Sequence, residues 1–241
     1  PRGPGRRSQQ QSSNILANTR SVIAMVSKVP RSSIRRIDST AMHRNCCGSP
    51  MVLSAVPLLV SDAQRMRVGV IGARGFIGGH VLRTVTDAGG SAVALVDTPS
   101  PELPSAAICV APRAAPVREL ARHLRGLDGV VIASGHAVPA AFQAEPLARY
   151  SREVQELTHW ALALAEARVQ RCVYLASGGT VYGANAGNAA REIDPVAPVN
   201  TYGAAKLSCE SVLRSFASVG TFAVTVLRVA NAYGPGQRAR R

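Results

Sequence analysis

Gly72-Ala73-Arg74-Gly75-Phe76-Ile77-Gly78-Gly79-His80 follows directly on the apolar run 67–71 and opens a stretch of helical periodicity. The GxxGxxG spacing has a mechanical reading. Gly72 lets the chain turn sharply from strand to helix, Gly75 leaves room for backbone to approach a pyrophosphate, and Gly78 lets the helix lie close to a sheet. The N-terminus of that helix would point free N–H groups at an anion. Glycine-rich turns are common, so position carries the weight: strand before, helix after, in the first βαβ unit. With Phe76 and Ile77, these three glycines are the candidate contacts to a dinucleotide.

Downstream the same alternation repeats. Apolar runs at 67–71, 92–96, 106–110, 129–133, 172–176 and 222–229 read as buried parallel strands. Helical stretches are expected at 77–88, 117–125, 146–167 and 201–219. Pro104 and Pro112 crowd the third strand and make it the weakest of the six. Strands alternating with helices imply an α/β fold, a doubly wound parallel sheet of the Rossmann type with right-handed crossovers. The second strand ends at Asp97, nearly twenty residues past the glycine loop, where a carboxylate accepts hydrogen bonds from adenosine ribose hydroxyls. It would repel a 2′-phosphate, which favours NAD over NADP, although Arg74 in the glycine loop pulls the other way.

Three segments of the second half share one chemistry. The fifth strand runs into Tyr174-Leu-Ala-Ser177-Gly-Gly-Thr180-Val-Tyr182-Gly183, and Asn200-Thr-Tyr202-Gly-Ala-Ala-Lys206-Leu-Ser-Cys-Glu210 follows. Tyr202 and Lys206 are four residues apart and share one helix face. A nearby ammonium stabilises a phenolate, so Tyr202 can act as a base towards a substrate hydroxyl. A strand-end hydroxyl, Ser177 or Thr180, can hydrogen-bond the reacting oxygen. A bare YxxxK is a common helix-surface pair; its order after the glycine loop, Asp97 and the Ser/Thr strand end is what distinguishes it. The last strand adds Leu227-Arg-Val-Ala-Asn231-Ala-Tyr233-Gly-Pro-Gly236-Gln237.

GARGFIGGHV, YLASGGTVYG, NTYGAAKLSCE and LRVANAYGPGQ together resemble the NAD-dependent epimerase/dehydratase family of extended short-chain dehydrogenases/reductases, over roughly residues 66–237. The resemblance implies a bound NAD and a nucleotide-sugar substrate oxidised at C4 and reduced again on the other face. It implies that Tyr202 is the base, that Lys206 binds the nicotinamide ribose, and that Asn231 reaches the substrate phosphates. The family's Ser/Thr position is Gly178 here, and members with a glycine pair there point to the preceding Ser177, with Thr180 second. The family's Gly-Asp-x-x-Asp element reads Ala111-Pro112-Arg113-Ala114-Ala115, its His-Leu-Ala-Ala reads Ile132-Ala133-Ser134-Gly135, and its Asn on the long helix is Glu153. Ser177-Gly178-Gly179 lacks the acids of the 4,6-dehydratases, which favours epimerisation or simple reduction. Family members continue past GPGQ into a domain that closes over the sugar nucleotide, and this sequence stops at Arg241. The expectation is that the C-terminal substrate domain is largely absent, with 238–241 a truncated tail. A non-catalytic dinucleotide-binding fragment is the rival reading. Such proteins often dimerise through helices like ELTHWALALAEA, so a homodimer is one expected arrangement.

The composition narrows the rest. The chain has 241 residues, 46% of them hydrophobic and 17% charged, which suits a globular protein. Its formal charge of +14 is crowded into the first 65 residues and the last four. Such tails attract polyanions weakly, and no nucleic-acid-reading motif accompanies them, so specific nucleic-acid binding is set aside. Residues 1–65 read as a disordered basic extension, with Met66 the expected natural start and an organelle-targeting leader the alternative to a cytoplasmic protein. The run 51–60 is too short to span a membrane. No cysteine or histidine has metal-ligand spacing, and the cysteines read as free thiols of a reducing compartment. His80, His123, His159 and Trp160 read as surface or packing residues, and His136 as a candidate substrate contact.

Overall fold

Hydrophobic side chains in the central strands alternate between two faces, and both faces are covered. The computed structural model describes residues 66–98, 103, 108–110, 112–135, 139–183, 190–230 and 232–237. The order is β1 (Arg67–Ile71), α1 (Phe76–Asp87), β2 (Ser91–Val96), β3 (Ile108–Cys109), α2 (Val117–Leu124), β4 (Gly129–Ile132), α3 (Pro139–Ala144), α4 (Pro146–Ala167), β5 (Arg171–Ser177), α5 (Thr201–Ser218) and β6 (Ala223–Val229). The six strands form one sheet in the order β3-β2-β1-β4-β5-β6, and every pair is parallel. That order reverses direction between β1 and β4, the switch point at which such sheets open a crevice beyond their strand ends.

Val68 and Val70 of β1 join Val81, Leu82 and Val85 of α1 in one apolar layer. Ile71 faces the other side, with Leu120 and Leu124 of α2, Leu157, Trp160 and Leu164 of α4, and Leu213 of α5. The period of two in the strands and the three-to-four spacing in the helices produce this division. Trp160 is buried in the core, as expected. Helix α4 ends with Arg168 in the left-handed region at φ 57, its backbone N–H bonded to the Leu164 and Ala165 carbonyls.

The expected elements are present with small shifts of their ends. The third strand is shorter than the expected 106–110, beginning among the described residues at Ile108. Helix α3 was not anticipated: PAAFQA is six residues long, too short to display a helical period. The expectations for residues 1–65 and 238–241, and for His136 and Asn231, fall outside the described residues. Among those described, no helix is long and apolar enough to cross a membrane, and no cluster of His, Cys, Asp or Glu could hold a metal.

Cys172 on β5 and Cys209 on α5 are buried free thiols. Burial pushes both up to about 12 from their ordinary 9.0. An unfolded chain ionises these thiols earlier than the folded one, so their contribution to stability is intact below pH 9 and is lost as pH rises towards 12. By about pH 10 each thiol is expected to cost on the order of 1 kcal/mol of stability. Urea titrations at neutral and alkaline pH measure this, and Cys172→Ala should flatten the alkaline slope.

Candidate active site

The glycine loop is shaped by contacts that exclude side chains. Gly72 has φ +82, and a Cβ there would meet the Ser134 backbone at 2.7 Å. A Cβ on Gly78 would lie 2.3 Å from the Gly72 carbonyl oxygen, so helix α1 can follow the loop this closely only with glycine at that position. The Gly75 N–H donates to the Gly72 carbonyl at 2.9 Å, closing the turn. Helix α1 has no side-chain cap and no acidic residue in its first turn, so its N-terminal N–H groups face the cleft without a competing carboxylate.

A cleft of about 2180 Å³ runs along the strand ends. Gly72, Gly75, Phe76 and Ile77 line its middle, Asp97 and Leu103 one side, and Ser177, Tyr202 and Lys206 the other. Gly78 lies behind the loop in its packing role. The candidates from the two halves of the sequence therefore share one cleft. At its outer end, Arg74 Nη2 is 3.8 Å from Asp97 Oδ1, with the Arg74 guanidinium also donating to Thr98 Oγ1. Both charges are well exposed, so the pair adds little stability. Where the family's Asp-bearing element is replaced by Pro112 and Arg113, Arg113 Nε lies 2.9 Å from Glu156 on α4 and His159 Nδ1 is 2.6 Å from the Pro112 carbonyl oxygen. These contacts tie the segment after β3 to α4, and His159 takes the packing role expected of it.

Tyr202 and Lys206 lie in the first two turns of α5. Asn200 caps that helix, its side-chain oxygen accepting from the Gly203 N–H at 2.8 Å. Gly203 permits close packing of the segment after β5, since a Cβ there would meet the Thr180 carbonyl oxygen at 2.5 Å. That contact brings Ser177 and Thr180 towards Tyr202. Thr180 Oγ1 donates to Ser177 Oγ at 3.0 Å, so the two hydroxyls that compete in the sequence are hydrogen-bonded to each other. The departure at Gly178 has a steric reason: a Cβ there would lie 2.7 Å from the Arg228 carbonyl oxygen on β6.

Four supporting side chains escaped the sequence reading of the site. Phe142 of α3 packs edge-on against Tyr202, ring centroids 5.3 Å apart. Glu210 of α5 accepts from Arg228 of β6 at 3.0 Å (Nε to Oε1) and 2.8 Å (Nη2 to Oε2), and Arg228 Nη1 donates to Tyr182 Oη at 2.9 Å. Glu210 is 1% exposed, and its hydrogen bonds hold the guanidinium's pKa above the ordinary arginine value. This network fastens the helix of Tyr202 to the last strand and to the segment following Ser177. Glu153, visible in the sequence only as a departure, reaches Lys206 Nζ at 2.5 Å.

Comparisons with known proteins agree with this geometry. The model of the NAD dependent epimerase/dehydratase family matches residues 68–241. A UDP-glucose 4-epimerase of Azospirillum brasilense is 31% identical over 179 residues, 72% of this chain and 51% of that protein. MoeE5 in complex with UDP-glucose and NAD is similar in structure, with a TM-score of 0.65, 29% identity, and 71% of this chain and 56% of that one covered. The UDP-glucose 4-epimerase of Thermotoga maritima, solved with UDP-glucose, has a TM-score of 0.65 and 25% identity, covering 72% of this chain and 58% of that one. The chain thus spans about half the length of the curated relative it matches. Family model, strand order and cleft agree: the chain belongs to the NAD-dependent epimerase/dehydratase family.

Proposed function

We propose that this chain carries the cofactor-binding and hydride-transfer half of an NAD-dependent nucleotide-sugar oxidoreductase of the epimerase type. The observation that carries it is the single cleft joining the glycine loop and Asp97 to Ser177, Tyr202 and Lys206. NAD is the cofactor of the family, and the residues present fit it. Gly72 and Gly75 add no side chains to the loop surface, the uncapped α1 N-terminus suits a pyrophosphate, and Asp97 stands where its carboxylate would accept hydrogen bonds from a ribose diol. Lys206 would hold the nicotinamide ribose, and Asn231, by its place in the motif, the substrate phosphates.

NAD supplies the hydride acceptor. Tyr202 takes the proton of the sugar hydroxyl, and Ser177, oriented by Thr180, hydrogen-bonds the same oxygen. Phe142 limits the swing of the Tyr202 ring, and the α4–α5 packing behind Lys206 keeps water from that side. MoeE5 and the Thermotoga maritima epimerase were solved with UDP-glucose, which makes a nucleoside-diphosphate hexose the substrate class proposed for the whole enzyme. We place the protein in the cytoplasm, a reducing compartment in keeping with the free thiols of Cys172 and Cys209.

Calorimetric titration with NAD⁺ and NADP⁺ tests the reading. NAD⁺ is expected to bind, and Asp97→Ala to weaken it by about tenfold through loss of the carboxylate hydrogen bonds. The same substitution removes the carboxylate beside Arg74, so NADP⁺ should gain relative to NAD⁺. Failure of the parent chain to bind either cofactor would remove the proposal.

A further inference from the structure

Lys206 is 3% exposed, a burial that strongly disfavours an ammonium unless a counter-ion accompanies it. Among the described residues, one carboxylate is in ion-pair contact with it: Glu153 of α4, itself 7% exposed, with Oε1 2.5 Å from Nζ. We propose that Glu153 is a positioning residue of this site, the counter-ion that keeps Lys206 charged in the core and fixes where its ammonium sits. The proposal rests on the oxidoreductase reading for its consequence, because Lys206 matters there as a ribose and tyrosine partner. The pairing itself stands on the geometry.

Among the described residues, no second carboxylate is in ion-pair contact with Lys206. From β5, Tyr174 presents its ring 5.7 Å from Nζ, and from α5 the Tyr202 ring is also 5.7 Å away. Cys209 of α5 adds a buried thiol held in its neutral form. Helix α3 has no titratable side chain, and the Arg118, Glu119 and Arg122 side chains of α2 face solvent. On α4 itself, Glu156 is engaged with Arg113 and Arg152. From β4, Gly135 follows the strand end, and a Cβ there would lie 3.0 Å from Nζ and 3.8 Å from the Glu153 oxygen. A side chain at position 135 would therefore crowd the pair.

Desolvation pulls the Lys206 pKa down, Glu153 pulls it up, and the net direction is above the ordinary 10.5. Removing the carboxylate leaves desolvation dominant, so the lysine would shed its proton readily. A role limited to clamping α4 against α5 predicts no such change, because Gln retains the shape and the hydrogen bond.

The test uses the scarcity of lysine: the chain has only Lys28 and Lys206. Lysine labelled with an NMR-visible isotope at the ε-carbon gives two resonances in the full chain, and loss of one in Lys206→Arg assigns it. In the parent, Lys206 is expected to titrate above the ordinary lysine value. In Glu153→Gln its proton affinity should fall by about a hundredfold, and in Glu153→Asp it should stay with the parent. Glu153→Asn, which restores the residue of the family motif, serves should the glutamine variant not fold. A lysine that titrates with the parent in either neutral variant overturns the proposal. NAD calorimetry reads the consequence: affinity in the neutral variant should be about tenfold weaker at alkaline pH and recover as pH falls through the lowered lysine value. Affinity that ignores pH there would overturn the functional half. The lysine titration needs neither cofactor nor sugar, so failure of the parent to bind NAD would strike the oxidoreductase reading and leave the ion pair separately decided.

Discussion

Tyr202→Phe should slow hydride transfer about a thousandfold while leaving NAD in place. The substitution deletes one oxygen, keeps the ring packed on Phe142, and leaves the Lys206–Glu153 pair untouched. Removing a positioned general base costs about a thousandfold in rate, or about 4 kcal/mol of barrier. Conversion of a UDP-hexose to its C4 epimer, followed by chromatography, gives the rate, and calorimetry gives the binding. Turnover that survives in the phenylalanine variant would remove Tyr202 from its role. A parent chain that binds NAD and turns over no sugar nucleotide would favour the rival reading of a non-catalytic dinucleotide-binding module.

The largest loss of stability is expected from Glu210→Ala. Glu210 is buried against Arg228, whose side chain is 15% exposed, and its removal leaves that guanidinium with Tyr182 as its hydrogen-bond partner. Breaking a buried ion pair from one side costs about 3 kcal/mol, which for a domain of this size lowers Tm by roughly 6–12 °C. Replacing both residues by leucine should recover a good part of the loss, since neither charge is then stranded. Thermal unfolding of the single and double variants measures the difference. A single variant as stable as the parent would show that the pair contributes nothing net.

What could be read from sequence depended on whether the signal was local. The strand–glycine–helix passage at Gly72–Gly78 is local, and so are the spacing of Tyr202 to Lys206 and the apolar runs, so the doubly wound sheet and the principal site candidates were legible. The supports of the site are not local. Glu153 and Lys206 are partners only because α4 and α5 pack side by side, and Arg228 meets Glu210 only once β6 pairs with β5. Gly178 read as a departure from the family motif, and its cause is a neighbouring strand's carbonyl. Helix α3 was missed because six residues carry no period, yet it supplies the ring beside Tyr202. The choice between Ser177 and Thr180 stayed open in the sequence because their hydrogen bond depends on the turn between them.

The position of β1 in the sheet bears on how the chain is made. β1 pairs with β2 as soon as the first crossover is complete, but its other edge waits for β4, which leaves the ribosome after β2, β3 and α2. In that interval the apolar strand Val68-Gly-Val-Ile71 has one row of backbone groups open to pairing with any extended segment. The nascent half-sheet is therefore exposed to aggregation, and the open edge of β1 is covered when Gly129–Ile132 arrives. Chaperone demand during synthesis should track the translation time of that interval more closely than the stability of the finished fold.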